Sequence, residues 1–178
     1  MPFVFTSCSI AGLYEIQPEV FKDQRGYFFE SYSEKDFNAI GITLPFVQDN
    51  QSKSVKGTLR GLHYQKMHPQ GKLVRAIEGE VFDVAVDLRE SSLTYGKWYG
   101  TVLKSEKQNQ LYIPPGFAHG FLTLTNTAIF AYKCTDFYYP NDEGGIIYND
   151  PDVGIDWPQM EYILSSKDLA LKPLRNIN

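Results

Sequence analysis

Arg60, His63 and Lys72 stand close together in the stretch GTLRGLHYQKMHPQGKLVRAIEGEVFDVAVDL, Gly57 to Leu88, whose other residues are ordinary strand material. An imidazole, with an unperturbed pKa of about 6.5, takes or gives a proton at neutral pH. A lysine at the mouth of a strand usually snorkels into water. Turned inward, Lys72 supplies a fixed positive charge where an oxyanion can develop. Tyr132, in IFAYKCT, keeps phase with Ala128, Phe130 and Cys134. Its phenol is therefore either a packed core group with a satisfied hydroxyl or a proton donor. His119 follows the rigid Pro114-Pro115-Gly116 turn in IPPGFAHGF, and either braces that turn or adds a second imidazole to a pocket. His63 alone would pass for a half-buried structural histidine; with Lys72, Tyr132 and His119 beside it, a polar site is the better reading.

A metal site of the kind that jelly rolls hold commonly takes two histidines from one strand, a nearby carboxylate and a third histidine from another strand. The matching strand here reads His63-Tyr64-Gln65, and the only other histidines are His68 and His119. Three neutral nitrogens can bind a transition metal, but only with His68 turned back into the pocket. No metal is expected.

The elements that must position these groups read mostly as strands. In Val81 to Arg89, Phe82, Val84, Val86 and Leu88 fall on one face, with Asp83, Ala85, Asp87 and Arg89 on the other. Glu78-Gly79 reads as a hairpin turn from a strand over 73–77. Further strands are expected over 98–103, 111–113, 121–125 and 128–135, the last two joined by Asn126-Thr127. A regular strand would put His63 on one face with Leu59, Gly61 and Gln65, Gly61 leaving room beside the ring. Helix signals are few. SEKDFNAIG offers Ser33 as a cap, Asp36 three residues on and Gly41 as a stop, and SSKDLAL starts a short turn at Ser165 or Ser166. Many short strands rich in tyrosine and phenylalanine predict an all-β protein, a jelly-roll β-sandwich with a few short peripheral helices and a ligand pocket at its mouth.

The 178 residues fit a single domain, 1–178, large enough to bury a core without a disulfide or a metal. With 43% hydrophobic and 21% charged residues, the composition is that of a soluble globular protein. A net charge of −4 argues against a general binder of nucleic acid or of membrane surfaces. No secretory leader or membrane-length apolar run is legible. Cys8 and Cys134, without CxxC spacing, read as reduced thiols of a cytoplasmic protein.

Seven blocks in order carry a resemblance: FKDQRGYFFES, FVQDNQSKSVKGTLRGLHYQ, QGKLVR, GEVFDVAVDLRESSLTYGKW, IPPGFAHGFLTL, YKCTDFYYP and YNDPDVGIDWP. Over nearly the full chain the sequence resembles the dTDP-4-dehydrorhamnose 3,5-epimerase family, nucleotide-sugar epimerases of the cupin superfamily. That resemblance implies a cupin-like homodimer without metal or organic cofactor. It implies epimerisation of a dTDP-linked 4-keto-6-deoxy sugar at C3 and C5, yielding the 4-keto L-rhamnose precursor. It makes His63 the general base, Tyr132 the general acid, Asp168 the partner of His63, and Lys72 the group that holds the enolate oxygen. Ligand contacts map to Arg25, Glu30, Gln48, Asp49, Asn50, Arg60, Lys72, His119, Tyr138, Glu143 and Lys167. Phe137 stands before Tyr138 where the family often has two tyrosines.

By residue type alone several of these have plainer readings. Ser165 and Asp168 look like a helix-capping pair, Lys167, Glu143 and Arg25 like solvated charges, and VQDN like a turn capping itself through Asp49 and Asn50. The arginines suit a diphosphate, which a planar guanidinium grips bidentately. Two further readings share the same residues: an epimerase acting at one carbon only, and a sugar-nucleotide binding protein without catalysis.

Overall fold

The computed structural model describes residues 2–177. In chain order the first strands are Phe3–Ser7 (β1), Tyr14–Pro18 (β2), Phe21–Asp23 (β3) and Gly26–Phe28 (β4), followed by helix Glu34–Ala39 (α1). Then come Gln48–Val55 (β5), Leu59–Gln65 (β6), Lys72–Glu78 (β7), Glu80–Asp87 (β8) and Trp98–Lys104 (β9). Gln110–Ile113 (β10), Phe117–Thr123 (β11), Thr127–Cys134 (β12), Glu143–Gly145 (β13) and the short helix Ser166–Leu169 (α2) complete the set. The strands form a six-stranded sheet, β1-β2-β10-β7-β12-β5, and a five-stranded sheet, β13-β6-β11-β8-β9, with β3 and β4 as a separate hairpin. Every strand pair is antiparallel. The two sheets face one another as a jelly roll, the expected class.

Strand β8 shows how alternation builds the core. Phe82, Val84 and Val86 pack outward with Leu59, Leu62, Leu122 and Trp157, while Val81 and Ala85 pack inward with Val74, Phe121 and Phe130. The C-terminal segment thus covers the outer face of the five-stranded sheet, and a strand apolar on both faces is satisfied on both. The outer face of the other sheet is covered by α1, whose Phe37 is fully buried among Phe3, Ile16, Leu73 and Tyr112. Ser33 caps α1, its side chain accepting from the Asp36 N–H, as its sequence predicts.

Three expectations are corrected. Glu78-Gly79 is not a hairpin turn: β7 and β8 lie in different sheets, and Gly79 is the point where the chain crosses between them. Its φ is +73°, and a Cβ there would fall 2.3 Å from both Thr125 Oγ1 and the Thr127 carbonyl. Residues 48–50 are not a self-capping turn but the start of β5, paired with Cys134, Lys133 and Tyr132 of β12. The strand expected over 121–125 runs from Phe117 to Thr123, so His119 is a mid-strand residue rather than a loop one.

Past the end of β8, Asp87 gathers the following loop. Its fully buried carboxylate accepts from the backbone and guanidinium of Arg89 and from the hydroxyls of Ser92 and Thr94. Burial would raise its pKa, but these bonds hold the carboxyl far below the ordinary carboxylate range. Asp87→Ala is expected to cost roughly 2–4 kcal/mol of stability, seen as a lower urea midpoint at unchanged m-value. Because the folded pKa is depressed, that contribution is complete at neutral pH and fades as pH drops below the unfolded value. Wild type and variant should converge in acid.

Candidate active site

Between the sheets lies a cavity of about 490 Å³, of ordinary ligand-pocket size. One wall is β6 and β11 and carries Arg60, His63, Gln65 and His119; the other is β7, β12 and β5 and carries Lys72, Tyr132, Gln48 and Asn50. Glu143, Tyr138, Lys167 and Asp168 close the rim.

Arg60 and His63 are three residues apart, a spacing that regular alternation would send to opposite faces. The register explains how both reach the cavity. His63 pairs with His119 and Arg60 with Phe121, so two residues of β6, Gly61 and Leu62, oppose the single Gly120 of β11. The bulge turns Leu59 and Leu62 outward into the apolar cluster, and Arg60, His63 and Gln65 inward. The expected grouping of His63 with Leu59 and Gly61 is thereby overturned; only Gln65 shares its face. Gly61 serves close backbone approach rather than side-chain room. Its φ is +116°, and a Cβ would come within 2.7 Å of the Gly120 Cα and the His119 carbonyl.

His63 Nε2 is 2.6 Å from Asp168 Oδ1. The other carboxylate oxygen of Asp168 accepts from the Ser165 hydroxyl at 2.7 Å, while Ser165 Oγ accepts from the Asp168 backbone N–H. The capping pair is therefore real, and it holds the carboxylate that orients the histidine. With Nε2–H donated to Asp168, Nδ1 is the bare nitrogen of the neutral ring. Burial pushes the His63 pKa below its ordinary value; the negative charges of Asp168 and Glu143 recover part of that shift.

Lys72 is buried, lines the cavity and makes no hydrogen bond with another side chain among the described residues. Burial draws its ammonium below the usual lysine range, with Cys134, Asp83 and Glu143 opposing. An unpaired cation held in a half-dry cleft is a ready partner for an anionic oxygen. Burial raises the Tyr132 phenol above its ordinary value, which keeps it protonated and able to donate. Across the cavity, the rim is a relay of short bonds: Tyr138 Oη donates to Glu143 Oε2 at 2.6 Å, and Lys167 Nζ to the same oxygen at 2.6 Å. Burial alone would raise Glu143, but these donors leave it below the usual carboxylate range.

No three His, Cys, Asp or Glu side chains among the described residues are grouped so as to hold a metal ion. His63 and His119 are each committed to a carboxylate. His68 stacks on Tyr139 at 4.0 Å and bonds Asp142, turned away from the cavity.

The comparisons with known proteins meet this geometry. The sequence profile described as dTDP-4-dehydrorhamnose 3,5-epimerase matches residues 7–176. A dTDP-4-dehydrorhamnose 3,5-epimerase of Methanothermobacter thermautotrophicus is 53% identical over 97% of this chain and 95% of its own. The chain belongs to the dTDP-4-dehydrorhamnose 3,5-epimerase family. Solved structures agree: the Elizabethkingia anophelis enzyme superposes with a TM-score of 0.95 at 49% identity over the whole of both chains. The Legionella pneumophila enzyme, solved in complex with dTDP-4-keto-L-rhamnose, gives 0.97 at 50% identity over 99% of this chain and 95% of its own.

Within this family member the cavity assembles most of the residues picked from sequence: His63, Tyr132, Asp168, Lys72, Gln48, Asn50, Arg60, His119, Tyr138, Glu143 and Lys167. Three do not join them. Asp49 alternates to the outer face of β5, where it pairs with Lys133 at 2.9 Å. Arg25 sits at the exposed tip of the β3–β4 hairpin, bonded to Asp23, and Glu30 is exposed on the loop that follows. Residues overlooked in the sequence include Gln65, whose amide donates to the His68 and Phe137 carbonyls and accepts from the Tyr139 N–H. It fixes the loop that carries Tyr138. Asp83 is the other, a buried carboxylate bonded to His119. Its signal is visible, an acid between Val81 and Ala85 on the inward face of β8.

If His63 is the base, its lowered pKa places the acid limb of the kcat/KM profile below the ordinary histidine value, because a base must be neutral to act. Asp168→Asn removes an influence that raises that pKa, so the limb should move to still lower pH while kcat falls by roughly 10²-fold or more. An unmoved acid limb would separate Asp168 from the base.

Proposed function

We propose that this cavity inverts C3 and C5 of dTDP-4-dehydro-6-deoxy-D-glucose to give dTDP-4-dehydro-L-rhamnose, with His63 as base and Tyr132 as acid. The observation that carries the residue roles is the opposition of the two groups. His63, held by Asp168 of α2, stands on one sheet, and the Tyr132 phenol and the Lys72 ammonium stand on the other, all lining one cavity.

Both carbons flank the C4 ketone, which acidifies each C–H. His63 Nδ1 takes the proton, and the electron pair moves onto the ketone oxygen as an enolate. The Lys72 ammonium stabilises that oxygen more than it does the neutral ketone, which is where the acceleration arises. Tyr132 then returns a proton to carbon from the opposite face. The imidazolium formed is held by Asp168 until it loses its proton to solvent, and the phenolate regains one, resetting the pair for the second carbon. Arg60 and the amides of Gln48 and Asn50 are the donors for the nucleotide end.

Turnover in heavy water should introduce deuterium at C3 and at C5, read by NMR of the product sugar. Deuterium at one carbon would mean a single-site epimerase, and none at either would leave a binding protein. His63→Ala should lower turnover by about 10²–10⁴-fold while the nucleotide sugar still binds.

The whole chain acts as one domain and, in this reading, as a homodimer in which the β3–β4 hairpin delivers Arg25 and Glu30 to the partner's cavity. What supports this is the hairpin itself. Its residues Phe21, Tyr27 and Phe28 are 54%, 59% and 68% exposed, an apolar surface that a second copy would cover. Mixing His63→Ala with Arg25→Ala chains is the test. Each alone is impaired, and randomly paired heterodimers should restore roughly a quarter of wild-type sites; no recovery would mean the hairpin serves its own chain. The unpaired thiols Cys8 and Cys134 accord with a cytoplasmic enzyme.

A further inference from the structure

A second imidazole–carboxylate couple stands in the cavity wall, its imidazole lining the cavity and its carboxylate buried behind it. His119 Nε2 is 2.9 Å from Asp83 Oδ2, and His119 is the direct cross-strand partner of His63. The two rings are thus built alike, each with Nε2 tied to a carboxylate and with no partner for Nδ1 among the described residues. They differ in depth. His119 is 7% exposed and Asp83 fully buried, whereas the His63 side chain is 30% exposed. Asp83 lies diagonally across from His119, since β8 pairs Ala85 with His119 and Asp83 with Phe121.

Asp83 is costly where it stands. Its Oδ1 is buried without a hydrogen-bond partner among the described residues, and a half-satisfied carboxylate in an apolar surround is destabilising. Phe121 and Phe130 stack at 4.2 Å in the same part of the cavity, and the His119 ring lies over Phe130. An apolar pair at Asp83 and His119 would pack there without that cost. A strand that keeps the carboxylate needs what it does to the imidazole.

We propose that Asp83 is a positioning residue of the epimerisation, acting through His119. By accepting the Nε2–H, it fixes Nδ1 of the neutral ring as a bare acceptor for a hydroxyl of the bound sugar. Lys72, Arg60 and the Tyr132 phenol, which line the same cavity, present donors. A sugar hydroxyl must also give its own proton to something, and a correctly set imidazole nitrogen is the acceptor that this wall supplies. A ring with its proton on Nδ1 would instead meet that hydroxyl as a donor and leave Nε2 against a carboxylate as two acceptors.

The inference rests on the cavity being the epimerisation site, and the measurements separate the two. Long-range ¹H–¹⁵N spectra of histidine-labelled wild-type protein report the tautomer without any turnover. His119 should show a protonated Nε2 and a bare Nδ1 at neutral pH, and protonation at Nδ1 would overturn the assignment whether or not Asp83→Asn folds. Asp83→Asn, nearly isosteric, should lower kcat/KM by roughly 10- to 100-fold with affinity for dTDP alone unchanged. His119→Gln should cost about as much, and the double variant no more than either. Additive losses, or an equal loss of dTDP affinity, would make Asp83 a structural residue and end the proposal. Failure of wild-type solvent exchange, with the tautomer as assigned, would count against the reaction and not against the role of Asp83 toward His119.

Discussion

The site depends on a place where two backbones touch. Gly61 of β6 and Gly120 of β11 approach so closely that a Cβ on Gly61 would lie 2.7 Å from the Gly120 Cα, and one on Gly120 would lie 2.6 Å from the Arg60 carbonyl. Only a residue without a side chain allows this on either strand. The contact houses the bulge, and the bulge resets the phase of β6 between Arg60 and His63. Without it a regular strand would put one of the two in the apolar layer under Trp157. The guanidinium that can bind phosphate and the imidazole that can act as base face one cavity because two glycines let the strands close together.

Around that contact the protein concentrates charge where burial makes charge effective. Lys72, His119 and Asp168 are buried in cavity walls that also include Phe121 and Phe130, and Asp83 is buried behind His119. A low-dielectric setting raises the cost of each unpaired group, and it also strengthens each interaction with a charge that develops during reaction. The carboxylates are spent on imidazoles, Asp168 on His63 and Asp83 on His119. Among the described residues the ammonium of Lys72 stays without a side-chain partner, which leaves it open to an anionic oxygen.

The rim is organised differently, by polar side chains bonding backbone. Gln65 and Gln48 hold the 137–139 segment through its carbonyl and N–H groups, so Tyr138 is carried on a tethered loop. Its hydroxyl and Lys167 converge on Glu143. α2 thereby touches both the rim, through Lys167, and the His63 imidazole, through Asp168.

Much of this was legible in the chain. Alternation in Val81 to Arg89 located β8 and both its faces, Ser33 and Asp36 located α1, and the seven blocks located the family. The kinds of group a carbon-acid reaction needs, a near-neutral base, a phenol and a cation, are visible as residue types. What the sequence alone left undecided was direction and company. Gly79 looks the same whether it turns a hairpin or crosses between sheets, and Asp49 and Asn50 look equally suited to a ligand until the β5–β12 register turns one out and the other in. His63 and Asp168 are 105 residues apart, and Asp83 meets His119 only because β8 and β11 are neighbours. Local pattern is set by the backbone period of a few residues, whereas these contacts are set by strand order, register and one bulge, which exist only once distant segments have packed.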